Sequence, residues 1–174
     1  MNELISIRTA KKDDIEKLNE VFEFARQIMI SNNNPTQWST FHPSKKFLLE
    51  DIQLGILYVV EFENKICGAF ALVFGEDEPY KHIIGKRIDD SPYITIHSLA
   101  SNGKIRDLFG VVLEYAKSFN HHIRIDTHRN NATMLHLMDK YGFVRTGLCY
   151  VDMPFDNERI TFELVDKNES RQLN

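Results

Sequence analysis

The stretch IRIDTHRNNATMLHLMDKYGFVRTG, residues 123–147, carries the strongest structural pattern in this sequence. It begins with alternating β-branched residues, which predict a strand. Asn131 is a favoured helix N-cap, and the residues after it predict a helix that ends at Gly142, which suits a left-handed C-cap. A further strand then starts at Phe143. The stretch therefore predicts a strand, a helix and a second strand joined by short connections.

The residues before this stretch extend the pattern. YITIHSLA (93–100) predicts a strand, and KIRDLFGVVLEYAKSF (104–119) predicts a helix. With the strand at 122–127 they form a strand–helix–strand unit, whose strands should run parallel with a right-handed crossover. Further upstream, ILYVVEF (56–62) and ICGAFALVF (66–74) predict a hairpin closed by the turn ENK.

Three more strands and two amphipathic helices complete the predicted order. The strands are expected at 5–10, 143–151 and 158–165, and the helices at 13–30 and 44–54. The polar residues 75–92 are expected to form a connector. A mixed sheet with helices on both faces is the simplest layered arrangement of these elements.

Length, charge and composition narrow the classes of function. The chain has 174 residues and suits one domain over residues 1–174. Its net charge of −4 argues against a nucleic-acid partner. Without a membrane-spanning apolar run or an N-terminal signal core, we expect a cytoplasmic protein that does not bind a membrane. Cys67 and Cys149 are expected to be free thiols, and no metal site is expected.

The opening stretch resembles the second signature segment of the GNAT superfamily of N-acetyltransferases. In that segment a strand precedes an Asn, a helix and a Gly-Phe pair, which here are Asn131 and Gly142-Phe143. YITIHSLASNGKI, residues 93–105, takes the place of the first signature, the strand and acetyl-CoA loop. The N-terminal helix and the hairpin also match, so the resemblance covers roughly residues 5–165.

The resemblance implies an α/β, GNAT-like fold with a mixed, mostly antiparallel twisted sheet of six or seven strands and about four helices. It also implies acetyl-CoA as the co-substrate. The residues that it assigns to acetyl-CoA are Leu99, Ala100, Ser101, Gly103, Lys104, Ile105, Arg106, Asp107, Leu108, Phe109, Gly110, Asn131 and Met134.

The acetyl-CoA loop departs from the family pattern Q/R-x-x-G-x-G/A. Lys104 takes the basic position, but Asp107 and Phe109 stand where the pattern has a glycine and a small residue. Amides at a helix N-terminus favour an anion, and Lys104 and Arg106 add positive charge. The Asp107 carboxylate would repel a phosphate, unless it serves the first helical turn. The ring of Phe109 would obstruct the ligand unless it turned into the core.

The resemblance also suggests how catalysis would work. A backbone N–H near Leu99 would polarise the thioester carbonyl. His97 lies on the strand that brings in the acetyl group, and its ordinary pKa suits a base, although a histidine bonded to a neighbour fits equally well. Many family members protonate the leaving thiolate with a Tyr four residues before the Gly-Phe. Here that residue is Met138, which cannot donate a proton. Since a thiol has a pKa of about 8.5, an acid is helpful rather than compulsory, and water, Tyr150 or Cys149 could substitute.

Other candidates have two interpretations each. Asn131 contacts the pantetheine arm by resemblance, and by position it caps a helix. Gln37 and Trp38 lie in the loop where the family builds its acceptor pocket, but Trp38 could equally close the edge of the core. His128 either orients the loop before Asn131 or, as we expect, lies on the surface.

The resemblance therefore implies an N-acetyltransferase that uses acetyl-CoA and a primary amine of a small molecule, amino acid or peptide. The departures at Asp107, Phe109 and Met138 support an alternative, a GNAT-fold binding or sensor module with impaired catalysis. Strands exposed at the edges of such sheets often pair, which would give a homodimer.

Overall fold

The computed structural model describes residues 4–38 and 42–166, which form eight strands and four α-helices. In chain order the elements are β1 (Ile5–Thr9), α1 (Ile15–Ser31), α2 (Lys45–Leu54), β2 (Leu57–Phe62), β3 (Lys65–Phe74), β4 (Ile84–Gly85), β5 (Ile94–Ser101), α3 (Leu108–Lys117), β6 (His122–Thr127), α4 (Ala132–Lys140), β7 (Val144–Tyr150) and β8 (Glu158–Val165). Two 3₁₀ turns, Lys12–Asp14 and Glu78–His82, lie between them.

All eight strands belong to one sheet, in the order β1-β2-β3-β5-β6-β8-β7-β4. Only β5 and β6 run parallel, and the other neighbours are antiparallel. The predicted mixed, mostly antiparallel sheet is confirmed, with one strand more than predicted. That strand is β4, inside the segment predicted to be a plain connector. Glycines allow its pairing, because a Cβ on Gly147 would collide with the carbonyl oxygen of Ile84.

The predicted hairpin of β2 and β3 is confirmed. Its turn consists of Glu63 and Asn64, which have φ angles of 51° and 61°. Positive φ at both central residues is the geometry of the two-residue turns that match the twist of paired strands.

The first two helices follow the predicted signals. α1 buries the apolar stripe that includes Leu18 and Phe22. Ser44 caps α2 by accepting a hydrogen bond from the Phe47 amide at 3.1 Å, and Gly55 ends that helix in the left-handed conformation.

The start predicted for α3 at residue 104 is wrong. The helix begins at Leu108, because side chains of the preceding loop bind its amides locally. The Gly103 amide donates to Ser101 Oγ at 3.1 Å, and the Lys104 amide donates to Asn102 Oδ1 at 3.1 Å. Such bonds compete with the helical ladder and keep these residues in turns.

Helices cover both faces of the sheet, as the element order predicts. On one face the core includes Val112 and Leu113 of α3 and Met138 of α4. On the other face it includes Phe22 of α1 and Leu48 of α2. Among the residues that the structure describes, no helix has the length and apolar character needed to cross a membrane.

The parallel strands β5 and β6 diverge within the sheet. They pair only at Ile94 with Ile123 and at Thr95 with Arg124, although both strands continue beyond those pairs. Within residues 4–38 and 42–166, no strand therefore pairs with the edge of β5 past Thr95 on this side. Backbone amides and carbonyls on that edge can accept a ligand.

β5 also carries a bulge on its other edge. It pairs with β3 at His97–Ala71 and at Ala100–Ala69, so two residues of β5 stand opposite one residue of β3. The first of them, Ser98, has a φ of 51°, which is strained for a residue with a side chain. Bulges redirect side chains, and this one lies directly after His97.

Candidate active site

Two cavities open where β5 and β6 diverge. We call the first, of about 390 Å³, the aspartate cavity, because Asp51, Asp77, Asp126 and Asp152 line it. The second, of about 480 Å³, is the loop cavity, which lies between the 101–109 loop, α1 and the start of α4. The residues that line both cavities are Met29, Leu99, Asn131 and Met134.

His97 lines the aspartate cavity between two carboxylates. Its Nε2 lies 2.5 Å from Oδ2 of Asp77, and its Nδ1 lies 3.7 Å from Oδ2 of Asp126. The hydroxyl of Tyr80 donates to the same Asp126 oxygen at 3.0 Å. This geometry orients the imidazole with Nε2 toward Asp77, which leaves Nδ1 beside Asp126 within the cavity.

The carboxylates control the protonation of His97. Burial lowers the pKa of His97, but the hydrogen bond with Asp77 and the charges of Asp126, Asp77 and Asp51 outweigh burial and raise the pKa above its ordinary value. Its environment therefore favours proton uptake by the imidazole. The side chain is half-buried, so it can still meet a ligand in the cavity.

Gln37 joins the long loop to α4 and to β8. Its Oε1 accepts hydrogen bonds from the side-chain amides of Asn34 and Asn131, each at 2.8 Å. Its backbone carbonyl accepts a hydrogen bond from Arg159 at 2.9 Å. Gln37 is buried and lines the aspartate cavity, where the sequence predicts a substrate residue.

Trp38 combines the two interpretations that the sequence leaves open. It is buried, and its ring packs at 5.7 Å from that of Phe22 in the core. It also lines the aspartate cavity.

Asn131 is held at both ends of its side chain. Its Oδ1 caps α4 by accepting a hydrogen bond from the Met134 amide at 3.1 Å, which confirms the predicted N-cap. Its Nδ2 donates to Gln37. These two bonds hold the Asn131 side chain in place. They therefore also fix the part of the wall between the cavities that Asn131 forms.

Asn34 contributes a buried acceptor to the loop cavity. The residue is 2% exposed and lines that cavity. Its Nδ2 donates to Gln37, but its Oδ1 has no hydrogen-bond partner among the described residues. A buried carbonyl oxygen without a donor is costly, so this atom suits an N–H donor on a ligand.

Asp107 and Phe109, the two loop residues that depart from the expected pattern, have partners on α4 and in the core. Asp107 accepts a hydrogen bond from the Tyr141 hydroxyl at 2.5 Å and lies 3.4 Å from the ammonium of Lys140. Tyr141 and then Lys140 lower the pKa of Asp107. The pair lies over Gly110, where any Cβ would collide with Tyr141.

Phe109 points into the core. It is 3% exposed, with ring-centre distances of 5.0 Å to Tyr141 and 6.2 Å to Phe143. Other aromatic rings therefore hold the ring of Phe109 in the core. This orientation is required if the ring is not to obstruct a ligand at the loop. Asp107, in contrast, presents a carboxylate at the N-terminal end of α3. It makes no full capping bond, although the Gly110 amide of the first turn also lowers its pKa.

Most residues predicted to bind acetyl-CoA line the loop cavity. Those that do are Leu99, Ser101, Gly103, Ile105, Arg106, Asp107, Leu108, Phe109, Asn131 and Met134. Ala100, Lys104 and Gly110 are not among its lining residues: Ala100 is buried, and Lys104 is exposed.

The structure does not bring the suggested proton donors for the leaving group to the cavities. Tyr150 is 49% exposed and lines neither cavity. Cys149 is fully buried, which raises the pKa of its thiol, and it also lines neither cavity. Met138 lies in the core beneath α4.

The expectation that His128 lies on the surface is wrong. His128 is completely buried, with its Nε2 at 2.9 Å from Asp156. Its Nδ1 accepts a hydrogen bond from the Asn130 amide at 3.1 Å, so the residue orients the loop before α4. In residues 4–38 and 42–166, no group of three or more His, Cys, Asp or Glu side chains could hold a metal ion.

Sequence reasoning did not find three residues of the site. Asp51 reads as part of the polar face of α2, Asp77 lies in a polar segment, and Asn34 lies among three consecutive asparagines. Nothing in their spacing relates them to His97 or to Gln37. The fold alone places Asp51 of α2 and Asp77 in the cavity of His97, and Asn34 in the adjoining loop cavity.

Comparisons with known proteins support the fold. No protein-family model and no curated protein matches the sequence. Among solved structures, a GNAT-family acetyltransferase from Streptococcus agalactiae is 24% identical, with 94% of this chain and 96% of that chain covered and a TM-score of 0.79. Agmatine N-acetyltransferase is 17% identical, with 93% of this chain and 99% of that chain covered and a TM-score of 0.60. The protein yncA of Salmonella typhimurium, solved with acetyl-CoA, is 16% identical (95% and 96% covered, TM-score 0.55). The chain therefore has the fold of the GNAT acetyltransferases.

Proposed function

We propose that this protein transfers an acetyl group from acetyl-CoA to a primary amine of a small molecule, an amino acid or a peptide. The observation that carries the proposal is the pair of cavities that share the wall of Leu99, Asn131 and Met134 at the divergence of β5 and β6. Two substrates bound on either side of that wall would meet at the backbone beside His97. Neighbours of the same fold include one that was solved with acetyl-CoA and one that is named for an amine.

The loop cavity suits acetyl-CoA. The unpaired edge of β5 offers backbone groups to the pantetheine arm, and the orphaned Oδ1 of Asn34 offers an acceptor to one of its amide N–H groups. Arg106 and the amides that open α3 favour the pyrophosphate, while Asp107 weakens that attraction. The local charge of Lys104, Arg106 and Asp107 is still positive.

The backbone after His97 suits the reacting carbonyl. The bulge turns the chain at Ser98, and the next residue, Leu99, lines both cavities. An N–H held rigidly by a bulge can donate to the oxygen that becomes negative during attack.

His97 acts as the base in this proposal. The neutral imidazole donates its Nε2 proton to Asp77, so Nδ1 can accept the proton of the attacking amine. The amine nitrogen forms a bond to the carbonyl carbon as the carbon–sulfur bond breaks, and CoA leaves as a thiolate. Since a thiol has a pKa of about 8.5, the thiolate can depart without a dedicated acid. Catalysis therefore does not require Tyr150.

Two measurements test the proposal. Calorimetric titration with acetyl-CoA should give saturable binding. Release of CoA with amines present, followed with a thiol reagent, should depend on the amine and yield the acetylated product by mass spectrometry. Release of CoA that no amine accelerates would contradict acetyl transfer.

The alternative is a GNAT-fold binding or sensor module. It is favoured by one observation, the Asp107 carboxylate that stands with Tyr141 over the first turn of α3. A module of this kind would bind acetyl-CoA or another ligand, and no amine in a broad panel would be acetylated.

A further inference from the structure

We propose that the amine acceptor carries a second cationic group, which the carboxylate of Asp51 binds. This inference rests on the proposed function and names its substrate class: a diamine, or an amine with a guanidinium at its far end. The argument starts from the charges and unpartnered groups of the aspartate cavity.

Most charged side chains that line the cavity are acidic. Asp51, Asp77, Asp126 and Asp152 line it, and the lining residues include a single arginine, Arg159. The terminal nitrogens of Arg159 donate to the backbone carbonyls of Gln37, Asp156 and Glu158, so the guanidinium is committed to the protein. The field within the cavity therefore favours a cation and disfavours an anionic acceptor.

Asp51 is the buried carboxylate without a partner, whereas Asp152, which also has no side-chain partner among the described residues, is exposed. Asp77 pairs with His97, and Asp126 accepts a hydrogen bond from Tyr80. The side chain of Asp51 is 7% exposed and makes no hydrogen bond or ion pair with any residue in the described ranges. A buried carboxylate without a cation is unfavourable, and a ligand ammonium would supply one.

The protonation of Asp51 agrees with this role. Burial raises its pKa to about 6, while the charge of His97 acts to lower it. At pH 7 the carboxylate is still mainly ionised. Asp51 and His97 both line this cavity, as a two-headed ligand requires.

A second unpartnered group lines the same cavity. Thr127 is completely buried and lines the cavity, and its hydroxyl has no hydrogen-bond partner among the described residues. A hydroxyl oxygen can accept from an ammonium, so Thr127 adds a neutral acceptor to the charged one. The two cationic ends of the ligand would thus lie at different places: the reacting amine beside His97 and the far cation at Asp51.

Three probes of equal chain length test the inference. Putrescine, butylamine and γ-aminobutyrate share the reacting amine, but their far ends are cationic, apolar and anionic. Binding is measured by calorimetry, and acetylation by release of CoA. Putrescine should have a kcat/KM and an affinity about ten- to one-hundredfold above those of butylamine, as expected for a hydrogen bond to a charged group, and γ-aminobutyrate should be the poorest.

Variants identify the carboxylate. In Asp51→Asn the ratio of the affinity for putrescine to the affinity for butylamine, and the same ratio of kcat/KM, should fall toward one. Glu50→Gln removes a neighbouring exposed carboxylate of α2 and should keep the wild-type ratio. The comparison of the three probes uses the wild-type protein alone. It therefore still tests the inference if Asp51→Asn fails to fold. Equal affinity for putrescine and butylamine, or preference for γ-aminobutyrate, overturns the inference. Selective putrescine binding without acetylation would support the cation site and contradict acetyl transfer.

Discussion

The Nε2 atom of His97 lies 2.5 Å from Oδ2 of Asp77, and the two residues belong to different parts of the chain. His97 lies on β5, and Asp77 precedes the 3₁₀ turn that follows β3. The pair is the most specific polar contact of the aspartate cavity. It explains how a strand histidine can be bonded to a neighbour and still present its other nitrogen to a substrate.

The first prediction concerns pH. The folded pKa of His97 is raised, so the imidazole remains protonated to a higher pH than an ordinary histidine, whose pKa is about 6.5. A base must be neutral, so kcat/KM should rise with pH, with its acidic limb above that value. Asp77→Asn removes the bond that favours the imidazolium, so the limb should move to lower pH. Glu76→Gln, a change at the exposed neighbour, should leave the limb in place. An acidic limb that is unmoved in Asp77→Asn would remove His97 from the role of base.

The second prediction concerns Asp107. In Asp107→Asn the side chain can still accept from the Tyr141 hydroxyl, but a negative charge at the start of α3 is gone. We expect acetyl-CoA to bind several-fold more tightly in low salt, since a carboxylate near a phosphate costs about 1 kcal/mol or more. The gain should shrink as salt increases. Calorimetric titration measures both effects, with Glu114→Gln on the exposed face of α3 as the control. Weaker binding in Asp107→Asn would mean that the carboxylate helps to build the loop.

The third prediction concerns Phe109. Its ring is buried among Tyr141 and Phe143, so Phe109→Ala should lower the free energy of unfolding by about 3–5 kcal/mol. It should not improve acetyl-CoA binding, because the ring does not stand in the ligand's way. Urea denaturation and calorimetric titration give the two quantities. A variant of native stability that binds acetyl-CoA better would contradict the packing described here.

The fourth prediction concerns Gln37. Gln37→Leu removes the acceptor of the Asn34 and Asn131 amides, and each buried donor left without a partner costs about 1–3 kcal/mol. Because these amides set both sides of the shared wall, KM should increase for acetyl-CoA and for the amine together. Gln27→Leu, on the exposed side of α1, is the matched control. An effect on only one substrate would show that the two sides are independent.

The fifth prediction concerns Tyr150. The side chain is half exposed and lines neither cavity, so Tyr150→Phe should keep the wild-type kcat with the best amine substrate. A large loss of kcat with unchanged stability would instead show that its hydroxyl reaches the leaving thiolate.

The fold could be predicted where local signals agree with tertiary packing. Three local signals each favour a single local structure, and the structure contains all three: the apolar stripe of α1, the cap at Ser44 and the turn at Glu63-Asn64. The strand β4 was not predicted, because two residues carry no periodicity and the pairing depends on a glycine in each strand, Gly85 in β4 and Gly147 in β7. The start of α3 was misjudged, because the side chains of Ser101 and Asn102 hold the loop amides in turns that propensity alone does not reveal.

The candidate site was predictable only in part. The position of Asn131 before its helix indicated an N-cap, and the structure has that cap. Its second bond, to Gln37, joins residues far apart in the chain and has no sequence signature. The burial of His128 was missed for the same reason, since Asp156 reaches it from the loop between β7 and β8.

The common wall of the two cavities has a kinetic consequence. Leu99, Asn131 and Met134 are in reach of both ligands, while Cys67 and Cys149 line neither cavity and offer no site for a covalent acetyl-enzyme. In the acetyl transfer proposed above, both substrates should then be bound together before any product departs. Initial velocities measured over both substrate concentrations should give intersecting double-reciprocal lines, and the parallel lines of a ping-pong scheme should be absent.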